Sequence, residues 1–286
     1  MAYTSKITHE NPGYFIILVD QSASMEDPQG GAGTKSKAVN AADAINRLLN
    51  NLVIRCSRGH EVNDYFFVSV VAYGDNKVWA PWQGHLADIE ENEIISASQL
   101  NANPRVESRL ERFDDGSGGY QEREIKVPVY IDPVSYGNTP MCRALQNAYN
   151  LSKWWIGEHP KGFPPIVLNI SDGEATDGDP VKYAEELTSL ASSDGRVLLF
   201  NLHLSAENSS AQLYPEADTA LADDFAKRLF SMSSILPEPM REAAAGLGIS
   251  VVTGSRGFVF NADLVHLMQF LEIGTTPNRY PTAPNR

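Results

Sequence analysis

The chain has 286 residues, of which 42% are hydrophobic and 21% are charged. This composition excludes an intrinsically disordered chain, and the length permits one large domain or two small ones. The net charge of −13 argues against a general nucleic-acid binder, which needs a basic face. No apolar run approaches the roughly 18 residues of a membrane span, so we expect no membrane association.

The two cysteines, Cys56 and Cys142, are too few for a disulfide scaffold and indicate a reducing compartment. The first residues, Met1 to Lys6, lack the apolar stretch of a secretory signal peptide. We therefore expect a cytoplasmic protein. Cys142 stands at the start of a predicted helix, where a thiol can be activated. Because no histidine is close in sequence, a buried structural thiol is the better interpretation.

The first part of the chain alternates between strand and helix patterns. Tyr14–Val19 is continuously apolar, which is typical of a strand buried on both faces of a parallel sheet. The three- and four-residue spacing of apolar residues predicts a helix from Lys35 to about Arg55. A second strand follows over Tyr65–Tyr73, and Lys77–Pro81 is a possible short edge strand.

The alternation fails from Trp82 to about Pro133. Within this stretch, Arg105–Ile131 is predicted to form a β-hairpin around a turn of aspartates and glycines. The stretch has few large apolar groups and would struggle to fold alone, so we interpret it as an insertion.

The alternation resumes at Gly137, with Thr139 as the predicted N-cap of a helix whose first residue is Pro140. The remaining predicted elements, in order, are that helix to Trp155, strand Ile166–Ile170, helix Pro180–Leu190, strand Val197–Leu204, helix Thr219–Ser231, strand Ile249–Thr253 and helix Ala262–Leu271. Alternating strands and helices indicate a Rossmann-like, doubly wound α/β fold, with a mainly parallel sheet flanked by helices. We predict one domain over residues 12–273, an insertion at about 82–133 and a flexible proline-containing tail at 274–286.

Ligands of open α/β sheets bind at the carboxyl ends of strands, near the switch in strand order. Asp20 directly follows the first strand, and Asp172 follows the strand Ile166–Ile170. In the strand order 3-2-1-4-5-6 these two strands are neighbours, which places the two aspartates side by side. No obvious basic partner is nearby, so the pair needs a proton or a cation between its members.

Ser22 and Ser24 alternate with Asp20, so an extended loop could turn all three side-chain oxygens the same way. Hard oxygen ligands without histidine or cysteine suit Mg²⁺, Mn²⁺ or Ca²⁺.

The arrangement resembles the von Willebrand factor A family and its metal-ion-dependent adhesion site. That family has Asp-x-Ser-x-Ser after the first strand, a Thr before a later helix and an Asp after the fourth strand. Asp20, Ser22 and Ser24 match the first part, Thr139 the second and Asp172 the third. Asp20 and Thr139 lie farther apart than is usual in the family, and the hairpin insertion accounts for the excess. Gln21 and Ala23 fill the variable positions, and a Gly is common at the second.

The resemblance implies a non-enzymatic, metal-dependent module that binds an Asp or Glu carboxylate of another protein. It implies Asp20, Ser22, Ser24, Thr139 and Asp172 as ligands, directly or through water. Among bacterial relatives, stand-alone domains of this type resemble proteins found with tellurium-resistance systems and with kinase–phosphatase signalling sets.

Other interpretations remain open at this stage. Asp20 alone could cap a loop, Thr139 could be only an N-cap, and Asp172 with Gly173 could form only a turn. A metal-dependent hydrolase such as a phosphatase is an alternative, although a haloacid-dehalogenase-type enzyme would have Asp where this chain has Ser22. A structural subunit with a vestigial metal site is another.

Overall fold

The computed structural model describes residues 3–29, 34–89, 93–114, 119–205, 211–219, 221, 224–261, 266, 268 and 269. Its strands are β1 (Gly13–Asp20), β2 (Ser57–Arg58), β3 (Glu61–Val62), β4 (Phe66–Gly74), β5 (Lys77–Trp79), β6 (Ile95–Ser96), β7 (Arg105–Asp114), β8 (Tyr120–Val129), β9 (Ile166–Ser171), β10 (Leu198–His203), β11 (Gln212–Leu213) and β12 (Phe258–Phe260). Its α-helices are α1 (Lys37–Cys56), α2 (Ala97–Ala102), α3 (Met141–Glu158), α4 (Pro180–Ser189), α5 (Asp224–Met232) and α6 (Glu238–Gly246).

A central sheet of eight strands runs in the order β11-β12-β10-β9-β1-β4-β5, with β6 paired to one end of β4. The inner pairs β10–β12, β9–β10, β1–β9 and β1–β4 are parallel, and only the outer strands β5, β6 and β11 pair antiparallel. The predicted α/β fold with a mainly parallel sheet is therefore confirmed. The chain turns from one half of the sheet to the other between β1 and β9, which is the switch point.

Strand β1 is buried on both faces because its side chains alternate between two cores. Phe15 and Ile17 face one core together with residues of α1 such as Ile45. Tyr14 and Ile16 face the other core with residues of α3. This two-sided packing explains why the sequence of β1 is continuously apolar rather than alternating.

The predicted hairpin is confirmed, since β7 and β8 pair antiparallel from Arg105–Val129 to Asp114–Tyr120. The insertion is also tied to the main fold. Trp82 and Tyr130 are 3% and 1% exposed and belong to the main core, and β6 pairs with β4. By contrast, Tyr120 stands 75% exposed on the hairpin.

Two predicted elements were placed wrongly. The last described strand is Phe258–Phe260, not Ile249–Thr253, which forms no strand. Gly257 permits this placement, because a Cβ there would clash with the ring of Phe200 on the neighbouring strand. The helix predicted over Thr219–Ser231 is described from Asp224 to Met232.

Helix α3 begins at Met141, so Pro140 is its N-cap residue and Thr139 lies outside the helix. A distant side chain replaces the predicted Thr139 cap: the Asp177 carboxylate accepts from the backbone N–H groups of Cys142 and Arg143, both at 3.0 Å. A carboxylate at a helix N-terminus also interacts favourably with the helix dipole.

Most of the predicted last helix, Ala262–Leu271, and the tail at 274–286 lie outside the described residues, as do Gly30–Gly33. No helix in the described part of the chain has the length and apolar character needed to span a membrane.

Candidate metal centre

The loops that follow β1 and β9 meet at the switch point of the sheet. Val19 pairs with Ile170 in the parallel register of β1 and β9, so Asp20 lies beside Ser171. The Ser171 hydroxyl donates to Oδ2 of Asp20 at 2.7 Å, and the Ser22 backbone N–H donates to Oδ1 at 2.9 Å. Asp20 is fully buried. Its carboxylate is thus held in one orientation at the base of the site.

The two serines connect Asp20 to Asp172. The hydroxyl oxygens of Ser22 and Ser24 lie 3.2 Å apart, and the Ser24 hydroxyl donates to Oδ1 of Asp172 at 2.8 Å. A short 3₁₀ turn, Ala23–Glu26, carries this loop and is anchored by the fully buried Met25. Ser24 itself is exposed, so the cluster has a buried base and a rim that solvent reaches.

Thr139 is the one predicted ligand without a hydrogen bond to the other four among the described residues. Its loop nevertheless contacts theirs, because the Ala23 N–H donates to the Gly137 carbonyl at 3.0 Å. Two hydrogen bonds join the Thr139 backbone to Thr176. The Thr139 N–H donates to the Thr176 hydroxyl at 3.1 Å, and the Thr176 N–H donates to the Thr139 carbonyl at 2.9 Å. Thr139 is 6% exposed. The structure therefore places Thr139 in the adjoining loop, with its backbone fixed.

Two glycines allow the loops of Ser22 and Thr139 to pack closely against the end of β4 and the turn that follows it. A Cβ on Gly74, at the end of β4, would lie 2.9 Å from the Gln21 carbonyl oxygen. Gly137 has a φ of +72°, and a Cβ there would lie 2.5 Å from Cα of Asp75. A larger residue at either position would push a ligand-carrying loop away from the end of β4 or from Asp75.

Electrostatics make the charged form of Asp20 unfavourable. Burial and the neighbouring Asp172 carboxylate raise the pKa of Asp20 from 3.8 to about 6, against the opposing effect of hydrogen bonds from Ser22 and Ser171. A bound cation would act in the opposite direction and favour the carboxylate.

Lys37 contradicts the expectation that no basic partner is nearby. Its ammonium donates to Oδ2 of Asp172 at 2.7 Å and to the Ser24 carbonyl at 3.2 Å. The side chains of Lys37 and Asp172 are only 5% and 1% exposed. The sequence did carry a signal for this contact. A helix that follows β1 starts at the carboxyl edge of the sheet, so a lysine in its first turn faces the loop after β1.

The donor set fits a hard divalent cation. Two carboxylates and the serine hydroxyls are oxygen donors of the kind that Mg²⁺, Mn²⁺ and Ca²⁺ prefer. No group of three or more His, Cys, Asp or Glu side chains that could hold a metal is found in the described ranges. The site thus offers two carboxylates and depends on neutral hydroxyls for its other protein ligands.

The nearby segment Asp177–Pro180 caps two helices. Asp177 caps α3, and the Asp179 carboxylate accepts from the Val181 N–H at 3.1 Å and caps α4. Burial and Asp177 raise the pKa of the Cys142 thiol to about 12, so this thiol is not activated.

No protein-family model matches the chain, and no curated protein matches its sequence. Among solved structures, proximal thread matrix protein 1 from the mussel byssus is 13% identical, with a TM-score of 0.42 over 92% of this chain and 47% of that one. The manganese-loaded TRAP protein of Plasmodium vivax is 12% identical, with a TM-score of 0.40 over 93% and 74%. The ArnB paralog VWA2 of Sulfolobus acidocaldarius is 15% identical, with a TM-score of 0.33 over 68% and 35%.

The chain spans only 20% of the three-domain fragment of the pili tip protein Mfa5 from Porphyromonas gingivalis, which is 13% identical with a TM-score of 0.31 over 58% of this chain. With similarities this low, the roles of individual residues rest on the geometry described above.

Proposed function

We propose that this chain is a von Willebrand factor A-like module that binds another protein through a divalent cation. Asp20, Ser22, Ser24, Thr139 and Asp172 are the proposed ligands, and Mg²⁺, Mn²⁺ or Ca²⁺ is the proposed cation. One observation carries the proposal. Two buried carboxylates and two serine hydroxyls form one hydrogen-bonded cluster at the switch point of the sheet.

Each side chain has a distinct task in this proposal. Asp20 supplies charge at the buried base, where Ser171 and the Ser22 N–H fix its orientation. Ser22 and Ser24 supply neutral lone pairs. Asp172 supplies the second charge, and Thr139 a third hydroxyl from the adjoining loop. A divalent cation supplies a concentrated positive charge with coordination positions that these residues leave open.

A partner carboxylate fits such a site better than a neutral group does. The hydroxyls do not neutralise the cation, and the rim at Ser24 is open to solvent. An Asp or Glu side chain of another protein brings both the missing charge and a hard oxygen ligand. The partner surface is thereby specified by chemistry as one that projects a carboxylate.

The geometry favours binding over hydrolysis at this site. Asp20 is fully buried at the base of the site, whereas a nucleophilic carboxylate has to reach the atom of the substrate that it attacks. Ser22 occupies the position where a haloacid-dehalogenase-type enzyme would place a second Asp. We therefore propose that the chain is not an enzyme. Phosphatase activity on a generic substrate that is lost in Asp20→Ala would instead favour the hydrolase.

The cellular setting is a further part of the proposal. Cys56 and Cys142 are both free and buried, which agrees with a reducing compartment such as a bacterial cytoplasm. Components of kinase–phosphatase signalling or tellurium resistance are the proposed class of partner. The net charge of −13 supports a protein partner over a nucleic acid.

Affinity capture from extracts of the source cells tests the partner hypothesis. The bait is the full chain with Mg²⁺, beside Asp20→Ala and the matched control Asp43→Asn, which changes a carboxylate outside the site. We expect specific proteins to bind the wild type and the control, to elute with EDTA and to be missing from Asp20→Ala. Capture that neither EDTA nor Asp20→Ala alters would contradict the proposal.

A further inference from the structure

Lys37 is a buried cation whose position is not explained by its own helix. It is the first residue of α1, where the helix dipole disfavours a positive charge. Ser36 already caps this end, since its side chain accepts from the Val39 N–H at 3.4 Å. Burying an ammonium group costs free energy unless it is paired. The Asp172 carboxylate and the Ser24 carbonyl supply that pairing.

The Lys37 ammonium contacts only one of the five proposed ligand side chains, that of Asp172. Its ammonium takes Oδ2 of Asp172, whereas the Ser24 hydroxyl takes Oδ1. Its second hydrogen bond goes to the backbone carbonyl of Ser24, whose hydroxyl is hydrogen-bonded to that of Ser22. The Asp27 carboxylate is also 3.6 Å from the Lys37 ammonium, but its side chain is 61% exposed and solvent screens its charge.

We infer that Lys37 is a fixed counter-ion of Asp172 that lowers the affinity of the site for a divalent cation and leaves the loaded site with excess positive charge. This inference rests on the metal site proposed above. Asp20 and Asp172 bring two buried negative charges, and Lys37 neutralises one of them. One negative charge then remains in the metal-free site, so a bound divalent cation gives the loaded site a net charge of about +1.

Two consequences follow for recognition. The metal-free site keeps a partly neutralised Asp172, so the fold does not depend on metal for its integrity. The loaded site gains from an anionic ligand, so cation and partner carboxylate strengthen each other's binding, as linkage requires. Lys37 thereby makes the anionic charge of the partner a condition for tight binding.

Manganese titration of four metal-stripped full-length proteins tests this inference. Unbound Mn²⁺ is followed by its electron paramagnetic resonance signal in the wild type, Lys37→Met, Lys37→Arg and the matched control Lys35→Met. Methionine keeps the unbranched shape of lysine without its charge. Lys35 lies two residues away, and its side chain is 61% exposed.

We expect Lys37→Met to bind Mn²⁺ on the order of tenfold more tightly than the wild type, because a nearby positive charge is removed. Lys37→Arg and Lys35→Met should keep the wild-type affinity. In EDTA, Lys37→Met should melt at a lower temperature than the wild type, and Mn²⁺ should raise its melting temperature by more. Lys37→Gln repeats the measurement in case the methionine variant does not fold.

The outcomes separate this inference from the proposed function. Equal or weaker binding by both neutral variants, with the wild type binding Mn²⁺, overturns the role of Lys37 and leaves the metal site standing. If Lys37→Arg bound Mn²⁺ as tightly as Lys37→Met, the inference would likewise be overturned, because the positive charge would not then be what lowers the affinity of the wild type. Binding by Lys37→Met alone supports the inference. Absence of binding in every variant removes both the metal site and this role.

Discussion

Two clusters of charge adjoin the first half of α1, and they are built in opposite ways. In one, Asp20 lies near Asp172, and a buried cation, Lys37, pairs with Asp172. In the other, Asp43 receives two cations, Lys35 at 2.8 Å and Arg109 at 2.5 Å, whose side chains are 61% and 33% exposed. The first cluster has two carboxylates for one cation, and the side chains of its ion pair are buried. In the second, two partly exposed cations contact one buried carboxylate.

The two clusters therefore differ in the pKa of their carboxyl groups. Burial and Asp172 raise the pKa of Asp20 to about 6. Burial alone would also raise the pKa of Asp43, but Lys35 and Arg109 outweigh it and hold that pKa below its ordinary value. The Asp43 cluster is complete as it stands and joins the hairpin to α1. The Asp20 cluster gains by accepting another cation, which is the property expected of a binding site.

Removing Asp172 should have the largest effect on stability. Asp172→Ala leaves the Lys37 ammonium buried without its carboxylate, which we expect to lower the free energy of unfolding by about 3–5 kcal/mol. Urea denaturation in EDTA measures this loss. The double variant Lys37→Met/Asp172→Ala should lose much less than the sum of the two single changes. A loss no greater than that of Asp43→Ala would contradict the buried pairing.

The pH dependence of stability should have opposite signs in the two clusters. The pKa of Asp20 in the folded protein lies above its ordinary value of 3.8. Protonated Asp20 therefore contributes fully to the free energy of unfolding below about pH 4, and this contribution is lost as pH rises through about 6. The loss amounts to about 3 kcal/mol in the metal-free protein. Urea denaturation of Asp20→Asn in EDTA across this range should remove the fall.

Asp43→Asn is the matched control for that experiment. The folded pKa of Asp43 is lowered, so its contribution is present above the ordinary pKa and is lost as pH falls through the folded value. The free energy of unfolding of Asp43→Asn should therefore be closer to that of the wild type in acid than at neutral pH. Parallel pH curves for Asp20→Asn, Asp43→Asn and the wild type would show that neither carboxyl group is shifted.

Cutting the link between α1 and the hairpin should have a smaller effect. Arg109→Met removes the Arg109–Asp43 ion pair, in which the arginine is a third exposed, so we expect a loss of about 1 kcal/mol or less. Cation binding should not change. A large loss, measured by urea denaturation, would mean that the hairpin is needed for the stability of the main fold.

Lys35→Met should have the smallest effect, within about 0.5 kcal/mol of the wild type, because the lysine side chain is mostly in solvent. Compared with Lys37→Met in the same thermal melts, it isolates the effect of burial at two lysines that are two residues apart. Equal changes in melting temperature in the two variants would contradict the claim that Lys37 is a buried, paired cation and Lys35 an exposed one.

Much of the site could be predicted because it depends on local patterns. Continuous apolar runs predict β1 and β9, and they place Asp20 and Asp172 at the ends of neighbouring strands from the sequence alone. The register of β1 and β9 confirms that placement. The hydrogen bond from Ser24 to Asp172 shows that the two parts of the motif are in direct contact.

The parts that failed depend on contacts between residues far apart in sequence. The side chain that caps α3 is Asp177, from the loop after β9. The prediction of Thr139 as the N-cap was wrong because local sequence does not show this distant contact. The strand expected at Ile249–Thr253 has suitable residues, but Phe258–Phe260 takes the place beside β10 because Gly257 admits Phe200. The position of Lys37 in the first turn of α1 indicates a contact with the loop after β1, but its partner Asp172 is 135 residues away in sequence.

The most direct test of the central claim, that Asp20 and Asp172 form a divalent-cation site, is calorimetric titration of Mg²⁺ into metal-stripped protein. The wild type, Asp20→Ala and Asp43→Asn are compared under the same conditions, with Lys37→Met as a tighter-binding reference. We predict saturable binding by the wild type and Asp43→Asn and none by Asp20→Ala. Equal binding heats in Asp20→Ala, or no binding by the wild type and Lys37→Met alike, would contradict the claim.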